Sequence, residues 1–127
     1  MNSATVHIVD DDDVVRDSFR SLLESHGLAV RDYASAEDFL ADRQQPKFGC
    51  LILDLHMPHM TGLQLLGELQ KQGSRLPVIA ITGRGDATLK QQVAQAGAFA
   101  FLEKPMNEEV LMWTIESAVA AHTPGDS

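Results

Sequence analysis

A single cysteine, Cys50, stands among 127 residues, so no internal disulfide can form. It opens an apolar run and reads as a small buried side chain. No stretch approaches the roughly 18 consecutive apolar residues of a membrane-crossing helix. The start, Met1-Asn2-Ser3-Ala4-Thr5, lacks a basic region followed by an apolar core. No secretion signal is therefore expected, and the cytoplasm is the default compartment. Basic residues are also scarce: 10 Lys and Arg stand against 18 Asp and Glu, for a formal net charge of -8. That balance argues against nucleic-acid contact by this domain's own surface, because phosphate contacts need clustered Lys and Arg. There is no internal repeat and no low-complexity segment.

What is present is an alternation of short apolar runs with longer amphipathic segments. The runs are Val6–Val9, Leu28–Tyr33, Cys50–Leu53, Val78–Ile81 and Ala98–Leu102. Four are near-continuous, as in parallel strands covered on both faces. Leu28–Tyr33 is more mixed and reads as a strand nearer an edge. Between them, Val15, Phe19, Leu22 and Leu23 fall on one helical face, Leu63, Leu66 and Leu69 mark another helix, and Leu111, Ile115, Ala118 and Val119 a third. Gly27, Gly73 and Gly97 follow helical patterns, where a left-handed residue commonly closes a helix. Ser35 and Asn107 are candidate N-caps. The pattern predicts five βα units forming an open parallel sheet with helices on both faces, an α/β doubly wound fold. Residues 1–121 are expected to form one domain, with 122–127 a tail or the start of a linker. The residues from 120 to 127 are not expected to encode an output domain themselves.

In such sheets, ligands bind outside the carboxyl ends of the strands. Asp10 and Asp11 follow the first strand, Asp54 the third, Thr82 and Gly83 the fourth, and Glu103, Lys104 and Pro105 the fifth. Clustered carboxylates repel one another, more so when buried, and call for a cation. Mg2+ fits, because it prefers oxygen ligands and commonly binds one or two carboxylates together with a substrate phosphate. Lys104 supplies a second, fixed positive charge. Asp54 is then a candidate nucleophile, able to attack phosphorus and form an acyl phosphate. Phosphoryl transfer spreads negative charge over equatorial oxygens, which Mg2+, Lys104 and the Thr82 hydroxyl can each engage. Asp12 and Asp13 read instead as a solvated helix start favoured by the dipole.

Five stretches carry a resemblance to a known family. They are His7-Ile8-Val9-Asp10-Asp11, Leu53-Asp54-Leu55-His56-Met57-Pro58, Met60-Thr61-Gly62-Leu63, Ile81-Thr82-Gly83-Arg84-Gly85-Asp86 and Phe101-Leu102-Glu103-Lys104-Pro105. With them the sequence resembles the receiver domains of two-component response regulators, from about Val6 to Val119. The resemblance implies a flavodoxin-like (βα)5 fold with strand order 2-1-3-4-5. It implies phosphorylation of Asp54 by the phosphohistidine of a histidine kinase or phosphotransfer protein. It further implies Mg2+, or Mn2+ in its place, bound by Asp11, Asp54 and the backbone carbonyl of His56, with Asp10 acting through water. Thr82 becomes the switch hydroxyl, Lys104 the phosphate partner and Phe101 the switch aromatic, and the Lys104-Pro105 bond is typically cis. Phe101 lacks the phenolic hydroxyl of the more usual tyrosine, so any signal through it must travel by ring burial.

The loop Ile81–Asp86 and the Glu103-Lys104-Pro105 ending are similar to the subfamily usually fused to a helix-turn-helix DNA-binding domain. The implied role is control of transcription by a phosphoprotein switch. Such a domain is not an enzyme acting on other substrates; it promotes only its own phosphorylation and dephosphorylation. The face formed by helix 4, strand 5 and helix 5 is the family's usual site of phosphorylation-dependent dimerisation.

His56 and Arg84 each lie two residues beyond a functional position and are candidates for shaping water access to the acyl phosphate, and so its lifetime. His56 and His59 read as exposed loop histidines rather than transition-metal ligands. Trp113 lies off the Leu111/Ile115 stripe, a position open to partial exposure, with core packing the favoured role. A Mg2+-dependent aspartyl phosphatase would need a carboxylate where His56 stands. A flavodoxin-like cofactor binder would need a glycine- or hydroxyl-rich phosphate loop where four aspartates stand. A receiver-like module that is never phosphorylated would not need every chemical position filled, as it is here.

Overall fold

The computed structural model describes residues 4–46, 48–57, 59–83 and 87–121. The tail, 122–127, and Arg84 lie outside them. Five strands alternate with five helices: β1 (Thr5–Val9), α1 (Asp13–Ser25), β2 (Ala29–Tyr33), α2 (Ala36–Ala41), β3 (Gly49–Asp54), α3 (Gly62–Lys71), β4 (Val78–Thr82), α4 (Ala87–Gln95), β5 (Ala100–Glu103) and α5 (Glu108–Ala121). The strands form one parallel sheet in the order β2-β1-β3-β4-β5. The (βα)5 arrangement and strand order are those the resemblance implied.

Strand alternation divides the core in two. Val6, Ile8, Cys50, Ile52, Ile79 and Ile81 face α1 and α5, where Leu23, Leu111, Ile115 and Ala118 meet them. Val9, Leu51, Leu53, Val78 and Ala80 face the opposite way, against Phe39 of α2, Leu65 and Leu66 of α3 and Val93 of α4. A strand buried on both faces needs apolar side chains at every position, which explains the continuous runs in β1, β3 and β4. His7 is the polar exception inside β1; its Nε2 lies 2.9 Å from the carbonyl of Pro46, and its ring packs edge-on against Phe39.

The ends of the elements are set locally. Asp12 caps α1, its carboxylate accepting from the N–H groups of Val14 and Val15. Ser35 caps α2 and Asn107 caps α5, both as predicted. Thr61 and Gln64 form a reciprocal capping box at α3. Gly27, Gly73 and Gly97 have φ of +80°, +71° and +93°, the left-handed conformation expected where helices close.

Two expectations need correction. The run Ala98–Leu102 was predicted to be covered on both faces, but β5 is only half-buried. It lies at the edge of the sheet, with β4 as its sole strand neighbour among the described residues. Trp113 was expected in the core, but it is 69% exposed. On α5 the buried side is taken by Leu111, Met112, Thr114, Ile115 and Ala118, which turns residue 113 outward.

Candidate phosphoacceptor site

Parallel pairing brings the chemistry together. Val9 of β1 stands beside Leu53 of β3, so Asp10 and Asp54, each one residue further on, emerge side by side. Asp54 stands beside Ile81, and Thr82 beside Glu103. The backbone extends this register past the strands: the Leu55 N–H donates to the Ile81 carbonyl at 3.0 Å, and the Lys104 N–H to the Thr82 carbonyl at 2.8 Å. Asp10, Asp11, Asp54, His56, Thr82, Lys104 and Pro105 therefore sit on one rim of the sheet, with Phe101 further down β5; Arg84 lies outside the described residues.

Carboxylate oxygens of Asp10, Asp11 and Asp54 lie within 4.8 Å of one another. Asp10 and Asp54 are 3% and 8% exposed, while Asp11 faces solvent. The Lys104 ammonium is 3.9 Å from Asp10 Oδ2. Burial is the main cause that pushes the Asp54 carboxyl above its ordinary pKa; the His56 N–H and Lys104 pull it back, and Asp11 pushes it up further. Asp10 is also raised, again chiefly by burial, with the Asp12 N–H opposing. Two buried acids thus carry charge at a cost that one half-buried lysine does not remove.

The donor set fits a hard divalent cation. It is all oxygen, it is anionic, and its carboxylates are destabilised without a counter-charge. Among the described residues, no sulfur or imidazole joins Asp10, Asp11 and Asp54 in this cluster. His59 is an exposed loop residue with a positive φ of 65°.

The site is braced from below. Gly62 opens α3 directly over Asp54: a Cβ placed there would stand 2.6 Å from the Asp54 carbonyl oxygen and 2.8 Å from Leu55 Cα. Only glycine lets the helix approach the Asp54 backbone so closely. Phe101 is half-buried on β5, beside Ala80, and packs against the α2–α3–α4 side of the core. The Lys104-Pro105 peptide is cis, as the resemblance implied.

Two contacts were not foreseen from the sequence. Arg16 Nη1 donates to the Asp10 carbonyl at 2.9 Å, while Nη2 pairs with Asp13 at 2.6 Å and Nε lies 3.6 Å from Asp32. One guanidinium thereby fixes the acidic turn after β1. The spacing of Asp13 and Arg16, three apart on a helix, was the available signal. The second contact is between His56 and Thr82: His56 Nε2 and Thr82 Oγ1 share a hydrogen bond of 2.6 Å. The adjacency of β3 and β4 places residue 56 near residue 82, but a loop side chain's direction is not legible in sequence.

Beside the pocket an apolar groove runs between α1 and the segment entering α5. Val14, Phe19, Leu22, Pro105, Met106 and Leu111 line it, and Lys104 joins it to the acidic site.

Comparison with known proteins agrees with this geometry. The family model described as response regulator receiver domain matches residues 6–116. The C4-dicarboxylate transport transcriptional regulatory protein DctR of Rhodobacter capsulatus is 47% identical over 122 residues, covering 94% of this chain and 62% of that protein. The transcriptional regulatory protein FixJ of Azorhizobium caulinodans is 41% identical over 117 residues, covering 92% of this chain and 56% of that protein. The chain therefore spans a little over half the length of these curated relatives. Among solved structures, FixJ-N superposes with a TM-score of 0.89 at 41% identity, covering 97% of this chain and 98% of that one.

Proposed function

The chain belongs to the response regulator receiver domain family, and from that premise we propose that Asp54 accepts a phosphoryl group from a phosphohistidine donor and that Thr82, Lys104 and Phe101 read its arrival. One observation carries the proposal: a nearly buried Asp54 shares a 4.8 Å cluster with Asp10 and Asp11, with the Lys104 ammonium 3.9 Å from Asp10. Three acids kept together at such a cost are suited to a cation, which they would hold and which would offset their repulsion.

In the transfer step an Asp54 carboxylate oxygen attacks phosphorus. The P–N bond of the donor breaks, and its electron pair returns to the donor's ring nitrogen. The product is an acyl phosphate on Asp54. Asp11 and Asp54, the His56 carbonyl, and Asp10 through water are the residues that would hold Mg2+, or Mn2+ in its place. When bound, that ion supplies charge neutralisation for the carboxylates and for the phosphoryl oxygens. Lys104, within reach of the same pocket, takes a second phosphoryl oxygen. The Thr82 hydroxyl takes a third, and a hydrogen bond to a charged group is worth about 1.5–3 kcal/mol. That suffices to shift a loop whose two arrangements differ by a few kcal/mol. His56 and Arg84, flanking the pocket in sequence, are proposed to govern water access to the acyl phosphate.

The same reading extends to the surroundings. Residues 1–121 act as the phosphoacceptor unit, in the cytoplasm, catalysing only the unit's own phosphorylation and dephosphorylation. The donor is a cognate histidine kinase or phosphotransfer protein. The apolar groove continuous with Lys104 gives such a donor a surface next to Asp54. Exposed Val110 and Trp113 on α5 support a phosphorylation-dependent homodimer through α4, β5 and α5. The output is transcription, as the printed names of DctR and FixJ describe for those proteins.

The test is incubation with acetyl phosphate, with and without Mg2+, followed by intact mass. One phosphoryl group should be gained only with Mg2+ and only when Asp54 is present. Rapid turnover of many small phosphate esters would instead support a phosphatase and overturn the proposal.

A further inference from the structure

Residue 56 is tied at two points. Its backbone N–H donates to Asp54 Oδ1 at 3.1 Å, and its ring Nε2 lies 2.6 Å from Thr82 Oγ1. The residue thus bridges the carboxylate that receives the phosphoryl group and the hydroxyl that responds to it. Thr82 is fully buried, whereas His56 is exposed. The Thr82 carbonyl is itself held by the Lys104 N–H at 2.8 Å. In this arrangement the imidazole is a partner that helps hold the Thr82 oxygen where it rests.

We propose that the His56 side chain is a latch on Thr82, a positioning residue that holds the hydroxyl in its resting place and sets how readily phosphorylation moves it. This rests on the phosphoacceptor reading of Asp54 and goes beyond the role of His56 in water access. A hydroxyl carries one proton and a fixed set of lone pairs, and each partner it already has holds it against being moved. A phosphoryl group that recruits Thr82 must draw its oxygen away from the His56 ring. The bond stabilises only the resting arrangement, so its removal favours the phosphoryl-bound one. The net worth of one such hydrogen bond corresponds to about fivefold in an equilibrium constant.

Beryllofluoride, a phosphoryl mimic, tests this by titration calorimetry in the presence of Mg2+. The set is the parent, His56→Ala, His56→Phe, Thr82→Ala and the two His56 variants in the Thr82→Ala background. Phenylalanine keeps a ring of similar size but has no nitrogen to bond the hydroxyl. Both His56 variants should bind beryllofluoride about fivefold more tightly than the parent. In the Thr82→Ala background the same changes should have no effect. A gain with Ala but not Phe would mean that ring bulk alone matters and would overturn the latch. So would unchanged or weaker binding in both, or an equal gain without Thr82. If the parent shows no Mg2+-dependent beryllofluoride binding, the phosphoacceptor reading itself falls; the other failures leave that reading standing.

Discussion

Replacing Asp54 by Asn is expected to stabilise the metal-free protein. Oxygens of the three carboxylates lie within 4.8 Å of one another. Two full charges at that distance repel by about 3 kcal/mol at an effective dielectric of about 20. Lys104, 3.9 Å from Asp10, offsets part of this, and Asp11 is exposed, so solvent screens its share. A gain of about 1–2 kcal/mol remains, which for a domain of this size raises Tm by roughly 4–8 °C. Asparagine keeps an oxygen for the His56 N–H, so that hydrogen bond is not lost.

The pH dependence follows from the same charges. Burial raises the Asp54 and Asp10 carboxyls above their unfolded values. The folded state therefore binds protons more readily than the unfolded chain, and that stabilisation is lost as pH rises through the folded pKa values. Without Mg2+ the parent should lose stability from the acid side of the carboxylate range toward neutrality, and Asp54→Asn should lose less. Mg2+ should then stabilise the parent at neutral pH and Asp54→Asn much less. Urea unfolding at mildly acidic and neutral pH, with and without Mg2+, reads all of this. An Asp54→Asn protein no more stable than the parent without metal, or one stabilised equally by Mg2+, would refute the reasoning.

Other perturbations reach further from the pocket. The Cys50 thiol is fully buried and pushed up to about 12 by burial, so native protein should resist alkylation at neutral pH, and protein in urea should react fully; mass spectrometry of the two samples decides. Gly62→Ala forces a Cβ onto the Asp54 carbonyl, so it should cost about 1–3 kcal/mol in urea unfolding and weaken Mg2+ binding by calorimetry. Val14 is among the most exposed apolar side chains and lines the groove beside Lys104. Val14→Asp should therefore slow phosphoryl transfer from the protein donor more than from acetyl phosphate, a comparison of initial rates.

How much of this was legible in the sequence depends on what each residue's environment is set by. The acidic site was legible because strand ends fix where Asp10, Asp54, Thr82 and Lys104 go, and hydrophobic runs mark those ends. The first and last residues of strands shifted by one or two, as for β3, where Gly49 and Asp54 extend the apolar run. Trp113 was misplaced because α5 is apolar on most of its circumference. With Val110, Leu111, Met112 and Trp113 in succession, periodicity alone does not say which side is buried. β5 was taken as doubly covered because an apolar run does not reveal that its strand sits at an edge. The reach of Arg16 to the Asp10 carbonyl and the His56–Thr82 bond were missed for a third reason: both depend on side-chain direction across loops, to which no spacing rule applies.

The central claim is that Asp54 becomes an acyl phosphate. The most direct measurement is peptide mapping after incubation with a phosphohistidine-bearing donor and Mg2+, with the acyl phosphate trapped by borohydride reduction. The account predicts modification at Asp54 alone and none in Asp54→Asn. Modification at another residue, or equal incorporation by Asp54→Asn, would contradict it.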